Sequence, residues 1–134
     1  MTPVPVTLAA AAALGLLNMW LGWRVGQFRG KLKVSVGDGG HEPLLRRMRA
    51  QANFIENAPF VLILLGALEL SGANGTGLAL IAAIFILARI SHAIGMDSAE
   101  NRRWRMLGMM GTMLTTLGLA LWAIVCIAQL YLGG

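Results

Sequence analysis

The sequence predicts an all-α integral membrane protein, a bundle of four transmembrane helices. Three observations carry that expectation. Hydrophobic residues make up 57% of the 134 residues and charged ones only 13%, where a soluble domain carries roughly a quarter charged residues. The apolar residues come in four long blocks, each near the ~20 residues a helix needs to cross the hydrocarbon core. All 11 Lys and Arg residues fall on one side of those blocks.

The apolar runs cover about residues 4–23, 52–70, 77–96 and 107–132. With their flanking turns they predict helices at 4–27, 43–70, 76–96 and 99–132, in one domain over residues 1–134. The first run has Asn18 as its only strongly polar group and ends at Trp20 and Trp23, which suit the headgroup region. No basic residue precedes it, so it reads as a retained helix and not a signal peptide. The second run is interrupted by Glu56, Asn57 and Pro59, and the third holds Arg89 and His92. The alternation of short strands that a membrane barrel requires is missing.

The connections differ in kind. Residues 24–49 form a polar segment with Gly37, Asp38, Gly39 and Gly40 as a turn. Residues 71–76 form a short turn. In residues 97–105, Asp97 and Glu100 precede Arg102, which suits a helix start near Ser98. Glu69 alone among the acids lies at the opposite end and reads as solvated.

The basic residues orient the chain. They occupy the first and third connections and the adjoining helix ends, while the second connection and the termini have none. The positive-inside rule makes the basic side cytoplasmic and both termini non-cytoplasmic. The net charge of +5 then faces anionic headgroups or a small anionic ligand, not nucleic acid. One cysteine, Cys126, excludes an intrachain disulfide or a zinc cluster. His41-Glu42 lacks the second His of a zinc-protease motif, and the glycines at 37–40 do not form a strand-to-helix phosphate loop. The eight methionines read as helix filling. Gly108, Gly111, Thr115 and Gly118 form a small-residue stripe for close helix approach.

Charged groups inside the spans are the informative ones, since each costs ~2.5–3.5 kcal/mol near a bilayer centre on insertion scales. Arg49, Asn53 and Glu56 share one face of the second helix, with Arg46 a turn earlier and Gln51 and Asn57 flanking. Arg89 and His92 share a face of the third, and Arg102, Arg103 and Arg105 open the fourth. One reading pairs Glu56 with Arg49 or Arg89 as a fixed internal ion pair, the other arginines snorkelling to headgroups. The other makes these groups a polar pocket with surplus arginines. Such a pocket fits a small, zwitterionic, net anionic ligand, because guanidinium binds carboxylates bidentately.

Residues 49–60, RAQANFIENAPF, closely resemble the RAQxNxxExxP stretch of the MAPEG superfamily, membrane-associated proteins in eicosanoid and glutathione metabolism. Arg89 followed by His92 resembles that family's third-helix motif, and the cluster at 102–105 lies where the family has a functional arginine. The resemblance implies a homotrimer in a bacterial inner membrane, with glutathione bound between subunits near the cytoplasmic face. It implies conjugation of the thiol to lipophilic electrophiles or reduction of lipid hydroperoxides.

Carried over by residue, Arg49, Gln51, Asn53, Glu56, Arg89 and His92 match glutathione contacts. Arg103 or Arg105 matches the arginine that stabilises the thiolate, and Arg29 or Lys31 a basic residue after the first helix. The chain departs from the eicosanoid synthases at Met96 and Asn57, where they have tyrosines; its one tyrosine, Tyr131, is at the other end. Three readings follow: a glutathione transferase or peroxidase, a non-catalytic glutathione or lipid binder, and a small multidrug-type transporter. The one-sided basic residues speak against the last, because dual-topology transporters need a weak bias.

Overall fold

A computed structural model describes residues 3–133. It contains α1 (Pro5–Leu32), α2 (Glu42–Leu70), α3 (Gly75–Gly95), a single 3-10 turn (Ala99–Asn101) and α4 (Arg102–Leu132). All four helices are long and apolar enough to cross a membrane. The protein is therefore an integral membrane four-helix bundle, as the apolar blocks predict.

Local chemistry sets the helix ends. Pro5 and Pro43 sit in the first turns of α1 and α2, where the missing N–H costs nothing. Asn74 caps α3, its side-chain oxygen accepting from the N–H groups of Thr76 and Gly77. α1 runs five residues beyond the expected end at 27, to Leu32. Its polar last turn continues the helix until Lys33, which takes the left-handed conformation at φ 55 and closes it. Arg29 and Lys31 in that turn also complement the helix dipole.

α2 and α3 hold the middle of the bundle, with α1 and α4 each packing on both. The core consists of Leu14, Leu17, Leu21, Phe54, Val61, Leu65, Leu78, Phe85 and Leu119, drawn from all four helices. α3 and α4 approach most closely. A Cβ at Gly108 would lie 2.5 Å from the Ala88 carbonyl oxygen, and one at Gly111 would lie 2.7 Å from the Ala88 Cβ. Thr115, next on the stripe, is buried. Gly118 departs from the expectation: it is exposed with open space beside it, because the stripe rotates off α3 by that turn.

Two acids do more than their sequence reading assigns. Glu69 is not simply solvated. Its carboxylate oxygens accept from the backbone N–H groups of Val6 and Thr7, both at 2.8 Å. The end of α2 thus caps the open first turn of α1, where orphan N–H groups and the helix dipole favour an anion. Asp97 does more than begin the α4 segment. It pairs with Arg24 of α1 and, at 3.4 Å, with Arg47 of α2, tying three segments together at the basic end of the bundle.

Candidate functional site

The polar groups of α2, α3 and α4 separate into an inward set and an outward set. The inward set centres on Arg89, which α3 presents to the bundle interior with 1% exposure. Its Nη1 donates to Thr112 Oγ1 of α4 at 3.0 Å. Its Nη2 donates to Asn53 Oδ1 of α2 at 2.8 Å and meets His92 Nδ1 at 3.3 Å. Arginine only donates, so Nδ1 of the buried His92 accepts and the imidazole proton belongs on Nε2.

All of these acceptors are neutral. Arg89 forms no ion pair with a described residue, and its buried Nε has no partner. Beside it lies a cavity of about 150 Å³ lined by Asn53, Asn57, Arg89, Met109, Thr112 and Met113. Thr112 also donates to the Gly108 carbonyl at 2.8 Å, and Asn57 Nδ2 to the Asn53 carbonyl at 2.7 Å, which fixes both polar walls.

The outward set comprises Arg49 and Glu56 on the exposed face of α2. Neither forms a salt bridge with a described residue. The fixed internal pair of Glu56 with Arg49 or Arg89 is therefore not formed: Glu56 points out of the bundle and Arg89 into it. Asn53 lies between the two sets. Arg46, a turn earlier, is taken up by Glu42 at 2.8 Å. Gln51 turns toward α1, its Nε2 lying 3.2 Å from where a Cβ on Gly22 would sit.

At the basic end, Arg103 is exposed and Arg105 half-buried. Gly95 leaves room for the Arg105 backbone, which a Cβ there would strike. That contact seats Arg105, and not Arg103, against the end of α3 one turn beyond His92. Arg29 reaches the loop and α2, donating to the Ser35 carbonyl at 3.2 Å.

Sequence reasoning missed Thr112, Arg24, Arg47 and Asp97 as parts of the polar framework. Arg24 is 6% exposed and stacks on the Trp20 ring at 4.5 Å; Arg47 stacks on Phe28 at 4.1 Å. The available signal was Arg24 directly after the tryptophan pair and Asp97 directly after the third span, both at one membrane depth.

Among the described residues, the arrangement is a buried cation without an anion and an outward carboxylate without a cation. The family model for MAPEG matches residues 7–125. The chain belongs to the MAPEG family. This membrane family includes glutathione transferases and related enzymes. The chain is also 28% identical to the inner membrane protein YecN of Escherichia coli K12 over 107 residues, covering 80% of this chain and 81% of that protein. The same identity and coverage hold for YecN of Escherichia coli O6:H1. This MAPEG chain keeps the second-helix motif on one continuous helix and divides its side chains between the interior and the outer face of the bundle.

Proposed function

We propose that the protein is a glutathione-dependent transferase or peroxidase acting on lipophilic electrophiles. It works as a homotrimer in the bacterial inner membrane, with both termini on the non-cytoplasmic side. One observation carries the reading: among the described residues Glu56 and Arg49 have no salt-bridge partner on the outer face of α2, and the buried Arg89 has no carboxylate. An ionised carboxylate bare to acyl chains is costly. A neighbouring subunit and a zwitterionic ligand at the boundary satisfy both signs. Glutathione, with two carboxylates and one ammonium, has that character. Family membership supports the glutathione reading, and the inner-membrane relative supports the location.

In this reading Arg49 and Glu56 meet the charged ends of glutathione. Asn53 joins them to Arg89 and His92, and Gln51 steadies α2 against α1. Arg105 is the better placed of the two arginines to stabilise the sulfur, with Arg103 beside it. A guanidinium favours thiolate over thiol, and in a site screened from water the effect exceeds that in bulk. The thiolate then forms a carbon–sulfur bond with an electrophile that arrives through the bilayer, and the electrophile's leaving group, halide in an aryl halide, departs with the bonding pair.

The test mixes purified protein with glutathione and follows thiolate absorbance, then turnover of an aryl halide. Thiolate formation that Arg105→Gln abolishes is the expected result. Absence of both thiolate and turnover removes the catalytic claim. Met96 and Asn57, in place of tyrosines, favour one second reading, a non-catalytic glutathione or lipid binder. Calorimetric binding without turnover would select it.

A further inference from the structure

Each of the six side-chain carboxylates in the sequence has a place in the fold. Asp38, Glu42, Asp97 and Glu100 lie at the basic end of the bundle. Glu69 caps α1 at the other end. Glu56 alone lies near the depth of Arg89, and it is exposed on the outside of α2. Arg89 sits six residues before the end of α3, about 9 Å of helix rise inside it, with 1% exposure. Carrying a guanidinium to that depth costs free energy that neutral acceptors return only in part.

The cavity of about 150 Å³ beside Arg89 has four polar walls: the guanidinium, the amides of Asn53 and Asn57, and the Thr112 hydroxyl. Together they carry one positive charge and no negative one. Met109 and Met113 complete the lining with apolar, polarisable side chains. Asn53 and Thr112 already accept from the guanidinium, while its buried Nε–H has no acceptor among the described residues. The volume equals that of about five waters at ~30 Å³ each, and lies below the ~300–1,000 Å³ of small-molecule sites.

We infer that this cavity binds a monovalent inorganic anion of halide size, held as the counter-ion of Arg89. Water in the same space would hydrate the guanidinium and leave its charge in place. A halide accepts from N–H donors and cancels that charge. A divalent anion such as sulfate would exchange a surplus positive charge for a surplus negative one. None of this requires glutathione, whose charged ends are placed on Arg49 and Glu56 of the outer α2 face. A neighbouring subunit on that face would close the cavity near Asn57, and the one acid it brings at this depth is its own Glu56, the rival counter-ion.

The experiment follows unfolding of the full-length protein in detergent, without glutathione, as chloride replaces gluconate at fixed sodium. The folding equilibrium constant is expected to rise with chloride, by up to about tenfold for each tenfold increase above the dissociation constant. Bromide should act likewise and sulfate should not. Crystals soaked in bromide should show an anomalous scattering peak in the cavity beside Arg89. Arg89→Met should abolish the halide response. Asn57→Leu, which keeps the cation and removes one polar wall, should weaken it and serves where Arg89→Met does not fold. An equal response to sulfate, a response unchanged in either variant, or the absence of both halide response and bromide peak would overturn the proposal. So would a halide response that appears only in Glu56→Gln, because Glu56 of a neighbouring subunit then supplies the counter-ion. Thiolate formation is read separately: protein that forms the glutathione thiolate with no halide response keeps the transferase reading and loses the anion site.

Discussion

Replacing Thr112 by valine tests the Arg89 network most directly. The change keeps side-chain volume, so no cavity forms, and removes the oxygen that accepts from Arg89 Nη1 at 3.0 Å. The Gly108 carbonyl, which the Thr112 hydroxyl also reaches at 2.8 Å, keeps its own backbone donor. The loss is thus confined to one acceptor for a buried cation. Hydrogen bonds to charged groups are worth ~1.5–3 kcal/mol in water-soluble proteins, while those between membrane helices average nearer ~0.6 kcal/mol. The charged, 1% exposed donor and the absence of a carboxylate partner among the described residues place this case toward the upper figure. Thr112→Val should destabilise the bundle by about 2 kcal/mol, within the charged hydrogen-bond range, in reversible denaturation from mixed micelles. Thr112→Ser should restore most of it. A double-mutant cycle with Asn53→Ala should show coupling, since Asn53 Oδ1 accepts from the same guanidinium. A valine variant as stable as the parent, with no coupling to Asn53, would refute the claim that Thr112 holds Arg89.

Asp97→Asn should cost about 1–3 kcal/mol, between the limits for exposed and buried ion pairs, because it weakens the tie to the buried Arg24; Glu42→Gln should cost far less in the same denaturation assay. Gly108→Ala should destabilise by about 1–3 kcal/mol through overpacking, its methyl meeting the Ala88 carbonyl. Gly118→Ala, in open space, should be neutral or stabilising by up to ~1 kcal/mol of helix propensity; thermal unfolding in detergent separates the two. Glu69→Gln should speed hydrogen exchange at the Val6 and Thr7 amides that Glu69 now accepts from, read by mass spectrometry. A C-terminal alkaline phosphatase fusion should be active, and the matching fluorescent fusion dark, if the termini are non-cytoplasmic.

Helix number was legible in the sequence because bilayer thickness and apolar length are one physical constraint; the polar last turns of α1, to Leu32, were not. The face of α2 carrying Arg49, Asn53 and Glu56 was legible too, since helical spacing fixes which residues share a stripe. What spacing leaves open is which edge of that stripe faces inward. Asn53 and Glu56 lie on neighbouring positions of one face, yet one bonds Arg89 inside the subunit and the other is exposed. A rotation of α2 by a fraction of a turn would exchange them, and that rotation is set by Phe54, Val61 and Leu65 fitting the core. The tertiary roles of Asp97 and Glu69 were not legible for a related reason. Each acts on a helix distant in sequence, α1 in both cases, and local pattern carries no record of that partner.

The division of charge bears on how the subunit lives in a bilayer. By composition, arginines and carboxylates form one pool, and Glu56 could serve any nearby guanidinium. In the folded chain Asp97 is committed to Arg24 and Arg47, and Glu42 to Arg46. That leaves Arg89 inside and Glu56 outside, neither able to neutralise the other without turning α2. An isolated subunit would therefore hold Glu56 against acyl chains, at ~2.5–3.5 kcal/mol on insertion scales for a central acid. Removing that charge should relieve the monomer more than the assembled protein. Glu56→Leu is thus expected to be tolerated in folding yet to weaken self-association, read by cross-linking across a detergent dilution series. If Glu56→Leu instead left self-association unchanged and destabilised the isolated subunit, Glu56 would have its partner within the chain, and the boundary site would lose its physical basis.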